Sequence, residues 1–128
     1  MPLFNFPFSV PAGGATSFST PYDSVNMAGL PYPNIVVHID LPAFTTAQLP
    51  DGQTFTLSLL ESVNGDMSAP TGVTPMGVVT GAGGVGALAK IVCARLLYSG
   101  ERFFAVKITA SASANAAGIL LGFTASGI

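Results

Sequence analysis

Apolar and polar residues alternate with period two along most of this chain, and this pattern restricts it to β-strands. In the segment 34–41 every second residue is aliphatic: Ile35, Val37, Ile39 and Leu41. The polar residues His38 and Asp40 fall on the opposite face of the same segment. Strict alternation indicates a strand with one face on a core and the other toward solvent.

The same alternation predicts further strands within 4–10, 15–20, 54–62, 73–80, 102–111 and 118–126. The segment 87–98 fits both a helical stripe and a strand, and we favour a strand because the neighbouring elements are strands. About eight short antiparallel strands with turns between them predict an all-β fold, a jelly-roll-like β-sandwich or barrel. An immunoglobulin-like sandwich is the alternative, although that fold usually carries a core Trp and this chain has none.

A proline and the chain length add two expectations about the strand positions and the domain organisation. Pro7 cannot donate to a ladder of hydrogen bonds, so the first strand is expected at a sheet edge or an interface. A chain of 128 residues fits one domain, 1–128. Within it, residues 1–10 and 111–118 are candidate arms that reach a neighbour.

Charged residues are scarce. The chain has four basic and six acidic residues, whereas 49% of its residues are hydrophobic. A soluble domain usually carries about a quarter charged residues, and a monomer of this size would expose roughly 6,300 Å². Contiguous uncharged patches on such a surface drive association. We therefore expect much of the surface to be covered by other protein, in a structural or assembly role.

The few charges are segregated along the sequence. Five acids precede position 67 without a base among them: Asp23, Asp40, Asp51, Glu61 and Asp66. All four bases follow, with Glu101 between them: Lys90, Arg95, Arg102 and Lys107. Either the two halves neutralise each other within one fold, or neighbouring subunits meet head to tail. The net charge of −2 predicts neither a nucleic-acid nor an anionic-membrane partner.

The run Gly81-Ala82-Gly83-Gly84-Val85-Gly86 matches the G-x-G-x-x-G pattern of dinucleotide-binding turns. Only residues 87–128 follow it, too few for a second nucleotide-binding half, and the preceding segments alternate as antiparallel strands do. A small nucleotide-binding protein is thus a minor alternative. We favour a flexible loop between strands that serves as an assembly arm, and we predict no cofactor.

Catalytic and metal-binding groups are few. His38 and Asp40 share a strand face, but no G-x-S-x-G nucleophile motif accompanies them. Cys93 could pair with His38 as a thiolate, although a buried structural cysteine is the favoured interpretation. One His and one Cys cannot form a zinc site within one subunit. We predict that the chain is not an enzyme.

Other ligand sites are weaker alternatives. Asp51 and Asp66 could hold calcium at a loop, and Arg102-Phe103-Phe104 could stack on single-stranded nucleic acid. A carbohydrate-binding module would use exposed tyrosines, for which the candidates are Tyr22, Tyr32 and Tyr98. The single Cys93 and the absence of a basic residue before Lys90 predict synthesis in a reducing cytoplasm without a signal peptide.

The chain resembles the capsid decoration (cement) proteins of tailed bacteriophages. The resemblance covers the whole chain, in its low charge, its single cysteine and its strand content. It includes the opening run Phe4-Asn5-Phe6-Pro7-Phe8 and the closing run Gly118-Ile119-Leu120-Leu121-Gly122-Phe123. No motif of fixed spacing accompanies it, so no functional residue is carried over.

The resemblance implies a β-sandwich that oligomerises on a capsid exterior and stabilises the capsid through protein–protein contacts. The expected partners are the major capsid protein and further copies of this chain, as a dimer or trimer. The expected location is the virion surface, after synthesis in the host cytoplasm. Another virion component, such as a minor capsid or head-fibre base protein, is the nearest alternative. We predict eight interface residues: Phe4, Phe6, Phe8, Asp40, Glu61, Arg95, Arg102 and Lys107.

Overall fold

The protein is an all-β sandwich, as its alternating sequence predicts. The computed structural model describes residues 2–19, 22–23, 34–62, 64, 66–68, 70, 72–97 and 103–127. Its strands are β1 Pro2–Ser9, β2 Thr16–Phe18, β3 Tyr22–Asp23, β4 Asn34–Leu41, β5 Thr54–Ser62, β6 Gly72–Thr80, β7 Lys90–Leu97, β8 Phe103–Ala110 and β9 Leu120–Gly127. Among these residues no helix is long and apolar enough to cross a membrane.

The strands pair in nested order, and this order identifies the topology. β1 pairs with β9, β2 and β3 pair with β8, β4 pairs with β7, and β5 pairs with β6, all antiparallel. The chain is thus one long antiparallel ribbon whose tip is the β5–β6 hairpin. Folding the ribbon over itself adds the pairs β4–β9 and β5–β8. This gives sheet A, ordered β1-β9-β4-β7, and sheet B, ordered β2-β8-β5-β6. The result is the predicted jelly roll.

β2 and β3 both pair with β8 and lie one after the other along it. Counted as one interrupted strand, they bring the nine described strands to the predicted number of about eight. The interruption lies at Ser19, whose N–H donates to the carbonyl of Val106 at 2.8 Å. The N–H of Val106 in turn donates to Oγ of Ser19 at 2.9 Å. A hydroxyl therefore takes the place of a backbone carbonyl, and the chain leaves the regular ladder there without an unsatisfied donor.

The three prolines within the described strands lie at sheet edges. Pro2 and Pro7 belong to β1 and Pro75 to β6, the outermost strands of sheets A and B. β6 also carries a bulge, because Leu57 pairs with Gly77 and Ser58 with Pro75, which leaves Met76 as an extra residue. Prolines and bulges at an edge prevent uncontrolled pairing with other chains. The predicted edge position of Pro7 is confirmed.

The inward residues of the two sheets form one hydrophobic core. Fully buried residues alternate along the central strands: Val37, Ile39, Phe55, Leu57, Leu59, Phe104, Val106, Ile108 and Leu121. The rings of Phe44 and Phe55 pack at 4.9 Å between centroids, tilted by 50°. In β7, Val92 and Ala94 are buried. The preference for a strand over a helix within 87–98 is therefore confirmed.

The two segments expected as arms lie on the sandwich. Residues 2–9 form β1, paired along β9, and Val10 is buried. In the segment 111–118, Ala114 and Ala116 are buried, and the N–H of Asn115 donates to the carbonyl of Gln48 at 2.7 Å. Within the described residues, one segment completes a sheet and the other closes one end of the core; contact of either with a neighbouring subunit stays a prediction.

The glycine-rich loop 81–86 joins β6 to β7 and is anchored to the segment 44–53. The N–H of Gly84 donates to Oδ1 of Asp51 at 2.9 Å, and Oγ1 of Thr46 donates to the carbonyl of Gly84 at 2.7 Å. Gly86 has φ +73°, and a Cβ there would overlap the carbonyl oxygen of Phe44. Two hydrogen bonds to Gly84 and a close backbone contact that only glycine permits at position 86 therefore anchor this loop to the sandwich.

Replacing Gly86 by alanine should destabilise the fold strongly. A left-handed φ costs an alanine about 1–2 kcal/mol, and the overlap with Phe44 adds roughly 1–3 kcal/mol. Gly84 is the matched control, because it also has a positive φ, +69°, but open space around it. Urea unfolding should show a larger loss for Gly86→Ala than for Gly84→Ala. Equal losses would mean that the contact with Phe44 does not constrain the loop.

Candidate interaction surfaces

Sheet B presents a nearly uncharged outer face. Its register aligns two rows across the strands: Thr16, Thr109, Thr56 and Val78, then Phe18, Lys107, Ser58 and Pro75. Oγ1 of Thr16 and Oγ1 of Thr109 lie 3.1 Å apart and share a hydrogen bond. We call these eight residues, together with Val73 of β6, the sheet-B face. Lys107, partly buried, is the one charged residue of this set.

Large apolar side chains on the sheet-B face are exposed to solvent. Phe18 is 57% exposed, Val73 62% and Val78 48%. Four hydroxyl side chains and Lys107 lie among them. A partner that covers this face gains apolar contacts and must provide hydrogen bonds to these polar groups.

A groove of about 270 Å³ borders the sheet-B face beside Phe18. Its lining residues are Phe18, Ser19, Asp66, Met67 and Ala105. The N–H of Ser68 donates to Oδ1 of Asp66 at 2.9 Å. This bond, together with one from the Ser68 hydroxyl, lowers the pKa of the Asp66 carboxyl below its usual value. The groove thus combines an aromatic ring with a carboxylate that stays ionised.

The outer face of sheet A holds His38, Asp40 and Cys93. His38 pairs in register with Cys93 of β7 and with Thr124 of β9. Cys93 is exposed, so the prediction of a buried structural cysteine is wrong. The reason is strand parity: Val92 and Ala94 point into the core, and the residue between them must point outward.

The three groups weighed for catalysis, His38, Asp40 and Cys93, lie on this open sheet. Within the described ranges, no three His, Cys, Asp or Glu side chains are grouped to hold a metal ion. Asp51, considered for calcium, instead accepts the N–H of Gly84. The dinucleotide interpretation of Gly81–Gly86 is wrong, because the following element, Lys90–Leu97, is an antiparallel strand of sheet A rather than a helix.

Four exposed aliphatic side chains were not predicted from the sequence, and they lie on sheet A and in the neighbouring loop. Ile91 of β7 is 65% exposed and Leu120 of β9 61%, and the loop residues Val85 and Leu88 reach 74% and 85%. Strand parity alone could have identified Ile91 and Leu120, because Val92 and Leu121 next to them are core residues. The sequence around Val85 and Leu88 contains no comparable pattern that would predict their exposure.

The predicted interface residues are spread over the molecule. Asp40 lies on the outer face of sheet A, Lys107 on the sheet-B face, and Glu61 pairs in register with Phe104 near the end of β5. The register also places Phe4, Phe6 and Phe8 on β1 opposite Ala125, Phe123 and Leu121, and Arg95 on β7 opposite Val36. Arg102 lies outside the described residues, as do Tyr32 and Tyr98. The structure therefore does not gather these residues into one site.

The charge segregation of the sequence does not persist in space. β4, from the acidic half, pairs with β7, from the basic half, and β5 pairs likewise with β8. Asp40 and Lys90 line the same groove. The nested pairing therefore interleaves the two halves, which favours neutralisation within one fold over a head-to-tail contact of an acidic and a basic face.

Cys93 should react with a thiol reagent in the native protein, because its side chain is exposed on an open sheet. At low micromolar protein, a disulfide reagent such as DTNB should release one thiolate per chain without denaturant. The same stoichiometry in urea is the internal control. A thiol that reacts only after unfolding would contradict the outward placement of Cys93.

Comparisons with known proteins give structural matches only. No family model matches the chain, and no curated protein does. Among solved structures, the chain is similar to one from the infectious bursal disease virus Gt strain (12% identity, TM-score 0.47, 97% of this chain and 28% of the other). It is also similar to a chain from the Gx strain (14% identity, TM-score 0.48, 99% of this chain and 29% of the other). A third similar chain comes from T=1 particles derived from infectious bursal virus (15% identity, TM-score 0.45, 99% of this chain and 29% of the other). The chain thus spans less than a third of the length of these virus-particle chains.

Proposed function

We propose that this protein is a structural component of a virus particle, and specifically that it decorates and stabilises the exterior of a phage capsid. Its partners are the major capsid protein and further copies of itself. The protein performs no chemistry in this role. It supplies surfaces that hold neighbouring subunits together.

The observation that carries the proposal is the distribution of exposed apolar side chains. Among the described residues, seven large ones are between 48% and 85% exposed. Phe18, Val73 and Val78 lie on sheet B, Ile91 and Leu120 on sheet A, and Val85 and Leu88 in the loop before β7. A module that binds a single ligand needs one such surface. A subunit embedded in a shell contacts neighbours on several sides, which accounts for exposed apolar residues on both sheets.

The free energies of burial and association favour attachment through several contacts over attachment through one. Burying a large aliphatic side chain completely contributes about 1.5–3 kcal/mol, so two or three half-exposed ones contribute a few kcal/mol. Association itself costs about 4–15 kcal/mol. One of these surfaces alone would bind weakly. Several surfaces used at once, repeated over a shell, give the avidity that a stable attachment needs.

A non-enzymatic role also agrees with the position of the titratable groups. His38 and Asp40 lie on an open sheet face, whereas catalytic groups normally converge in a cavity that excludes water. In the part of the chain that the structure describes, neither the groove at Asp40 nor the groove at Asp66 has a histidine in its lining.

The proposal predicts that the chain is present in purified phage particles from cultures that express it, in a fixed number of copies. Quantitative mass spectrometry gives the copy number, and cryo-electron microscopy locates the density on the capsid exterior. Absence from washed particles would overturn the proposal. A location inside the capsid or at the tail would overturn the decoration role while leaving a virion component.

Attachment should depend on the sheet-B face. A charge at an apolar contact must be desolvated, so Val73→Asp should lower the fraction of protein that co-sediments with particles at least tenfold. Ala112→Asp is the control, because Ala112 is exposed beyond the end of β8, whereas Val73 pairs with Leu60 near the opposite end of sheet B. Equal attachment of both variants would exclude Val73 and its neighbours from the contact.

A second candidate function rests on the groove beside Phe18. An exposed aromatic ring and an ionised carboxylate can bind a sugar, through stacking on the ring and hydrogen bonds from the sugar hydroxyls to the carboxylate. Glycan-array binding that Phe18→Ala abolishes and Val78→Ala retains would support this carbohydrate-binding alternative. Absence of binding by the unmodified protein would eliminate it.

A further inference from the structure

The turn after β5 covers part of the outer side of sheet B. Leu60 of β5 and Ala105 of β8 pair in register and are only 6% and 1% exposed, although neither belongs to the core between the sheets. Their neighbours along each strand are core residues, so strand parity turns both side chains outward. Asp66 and Met67 of the turn line one groove together with Ala105 and contribute to this cover. The outer side of sheet B therefore has a recess beside the sheet-B face.

Hydrogen bonds hold this turn in one conformation. Oγ of Ser62 donates to the carbonyl of Ser68 at 2.8 Å, and Nδ2 of Asn64 donates to the same carbonyl at 3.0 Å. The N–H of Met67 donates to the carbonyl of Asn64 at 3.0 Å. Met67 has φ +60°, a left-handed conformation that residues with a side chain rarely adopt unless their surroundings impose it. The turn thus presents Asp66 and Met67 in a defined position, and a ligand does not have to order them.

The recess is mostly apolar with one carboxylate. We call it the Phe18 groove; it has a volume of about 270 Å³ and is lined by Phe18, Ser19, Asp66, Met67 and Ala105. The polar groups of Ser19 are already engaged, because its N–H donates to the carbonyl of Val106 and its Oγ accepts the N–H of Val106. The Asp66 carboxylate is fully exposed and is held by Ser68 on one side. It is therefore the group through which the groove can bind a polar ligand.

The chemistry of this lining selects a cation. A carboxylate only accepts hydrogen bonds, so it is complementary to a group that only donates them. Within the described residues no basic side chain pairs with Asp66, and Lys107, opposite Phe18 in register, is absent from the lining of the groove. A guanidinium group can stack on the ring of Phe18 and donate to the carboxylate at the same time, whereas an ammonium group cannot stack. A sugar fits less well, because its oxygens also need donors and the N–H groups of Ser19 and Met67 already have partners.

We infer that the Phe18 groove receives an arginine side chain of the protein to which the sheet-B face attaches. Phe18 belongs to both the groove and the sheet-B face, so the two surfaces are continuous. This inference deepens the proposed function and rests on it for the identity of the partner as a capsid protein. An arginine anchored against an aromatic ring at an apolar contact is typical of the residues that dominate binding energy at interfaces.

The charge balance favours a different protein over a second copy as the source of this arginine. The chain has six acidic and four basic residues. Copies of the chain therefore repel one another, and their bases are too few to neutralise all of their carboxylates. A partner that supplies a basic group at the contact removes part of this imbalance.

The first test examines the groove without capsids. The full chain is labelled with ¹³C at its methionine methyl groups and titrated by NMR with N-acetyl-arginine amide. The neutral analogue N-acetyl-citrulline amide and methyl glucoside are titrated in parallel. The Met67 methyl resonance, assigned with Met67→Leu, should shift with the arginine compound only. The Met76 methyl is the internal control, because Met76 is 9% exposed and packs in the core.

Substitutions then show which groups bind the arginine compound. Asp66→Asn keeps an oxygen that can accept the N–H of Ser68 but loses the charge, and it should weaken binding about threefold to fivefold, the range for an exposed ion pair. Phe18→Ala should weaken binding about threefold through loss of stacking. Val78→Ala is the control on the same face and should leave the affinity unchanged. An unshifted Met76 resonance checks that each variant is folded.

Three outcomes of these titrations would overturn the inference. The first is an equal response to the arginine and citrulline compounds, and the second is an unchanged affinity in Asp66→Asn. The third is a response of Met67 to methyl glucoside instead, which would support the carbohydrate-binding alternative. Self-association of the unmodified protein that Asp66→Asn abolishes in sedimentation velocity would assign the arginine to a second copy and overturn the choice of a capsid partner.

Co-sedimentation with capsids separates this inference from the proposed function. Asp66→Asn should lower the attached fraction several-fold, because the lost contact is repeated over the shell. A protein that binds the arginine compound but does not attach to particles would refute the virion role alone. Attachment that Asp66→Asn leaves unchanged, in a protein that does not bind the arginine compound, would refute the arginine site alone.

Discussion

The pairing of the first strand with the last is the constraint on which the rest of this structure depends. β1 lies along β9, and each following strand pairs with a partner nested inside that contact. Nearly every ladder therefore joins segments far apart in the chain. The entropy of closing such long loops must be overcome before the core can form, so folding of this topology is expected to be slow and cooperative. Only after the ribbon has folded over do β4 and β5 find their second neighbours, β9 and β8.

The nested order also decides where the charges lie. Because the N-terminal half pairs with the C-terminal half throughout, acidic and basic segments become neighbouring strands. A chain that is polarised along its length is thus mixed in space, and Asp40 and Lys90 share one groove. The same mixing leaves broad uncharged areas between the few charged groups. Those areas are where the exposed Val73, Val78, Ile91 and Leu120 lie.

These surfaces connect the fold to the proposed role. A jelly roll buries the inner faces of both sheets and leaves the two outer faces as flat, separate platforms. Here the sheet-B face is almost uncharged, and the outer face of sheet A places the exposed Ile91 beside Asp40. Under the proposed role, both outer faces are available for contacts with neighbouring subunits. Glycines with positive φ and hydrogen bonds to Asp51 and Thr46 hold the loop between β6 and β7 in place. That loop therefore presents Val85 and Leu88 in a defined position.

The sequence by itself determined the features that depend on neighbouring residues. Alternation identified the strands and the inward residues of β4, β5 and β8, because side-chain direction in a strand follows from position alone. Pro7 indicated an edge, since a residue without an N–H cannot serve a central strand. Only the tertiary structure decided which strands are neighbours, because register is set by contacts between distant segments. It anchored the loop 81–86 and placed 111–118 over the core. It also brought Asp40, Ile91 and Leu120 together from three strands, a juxtaposition that no local pattern contains.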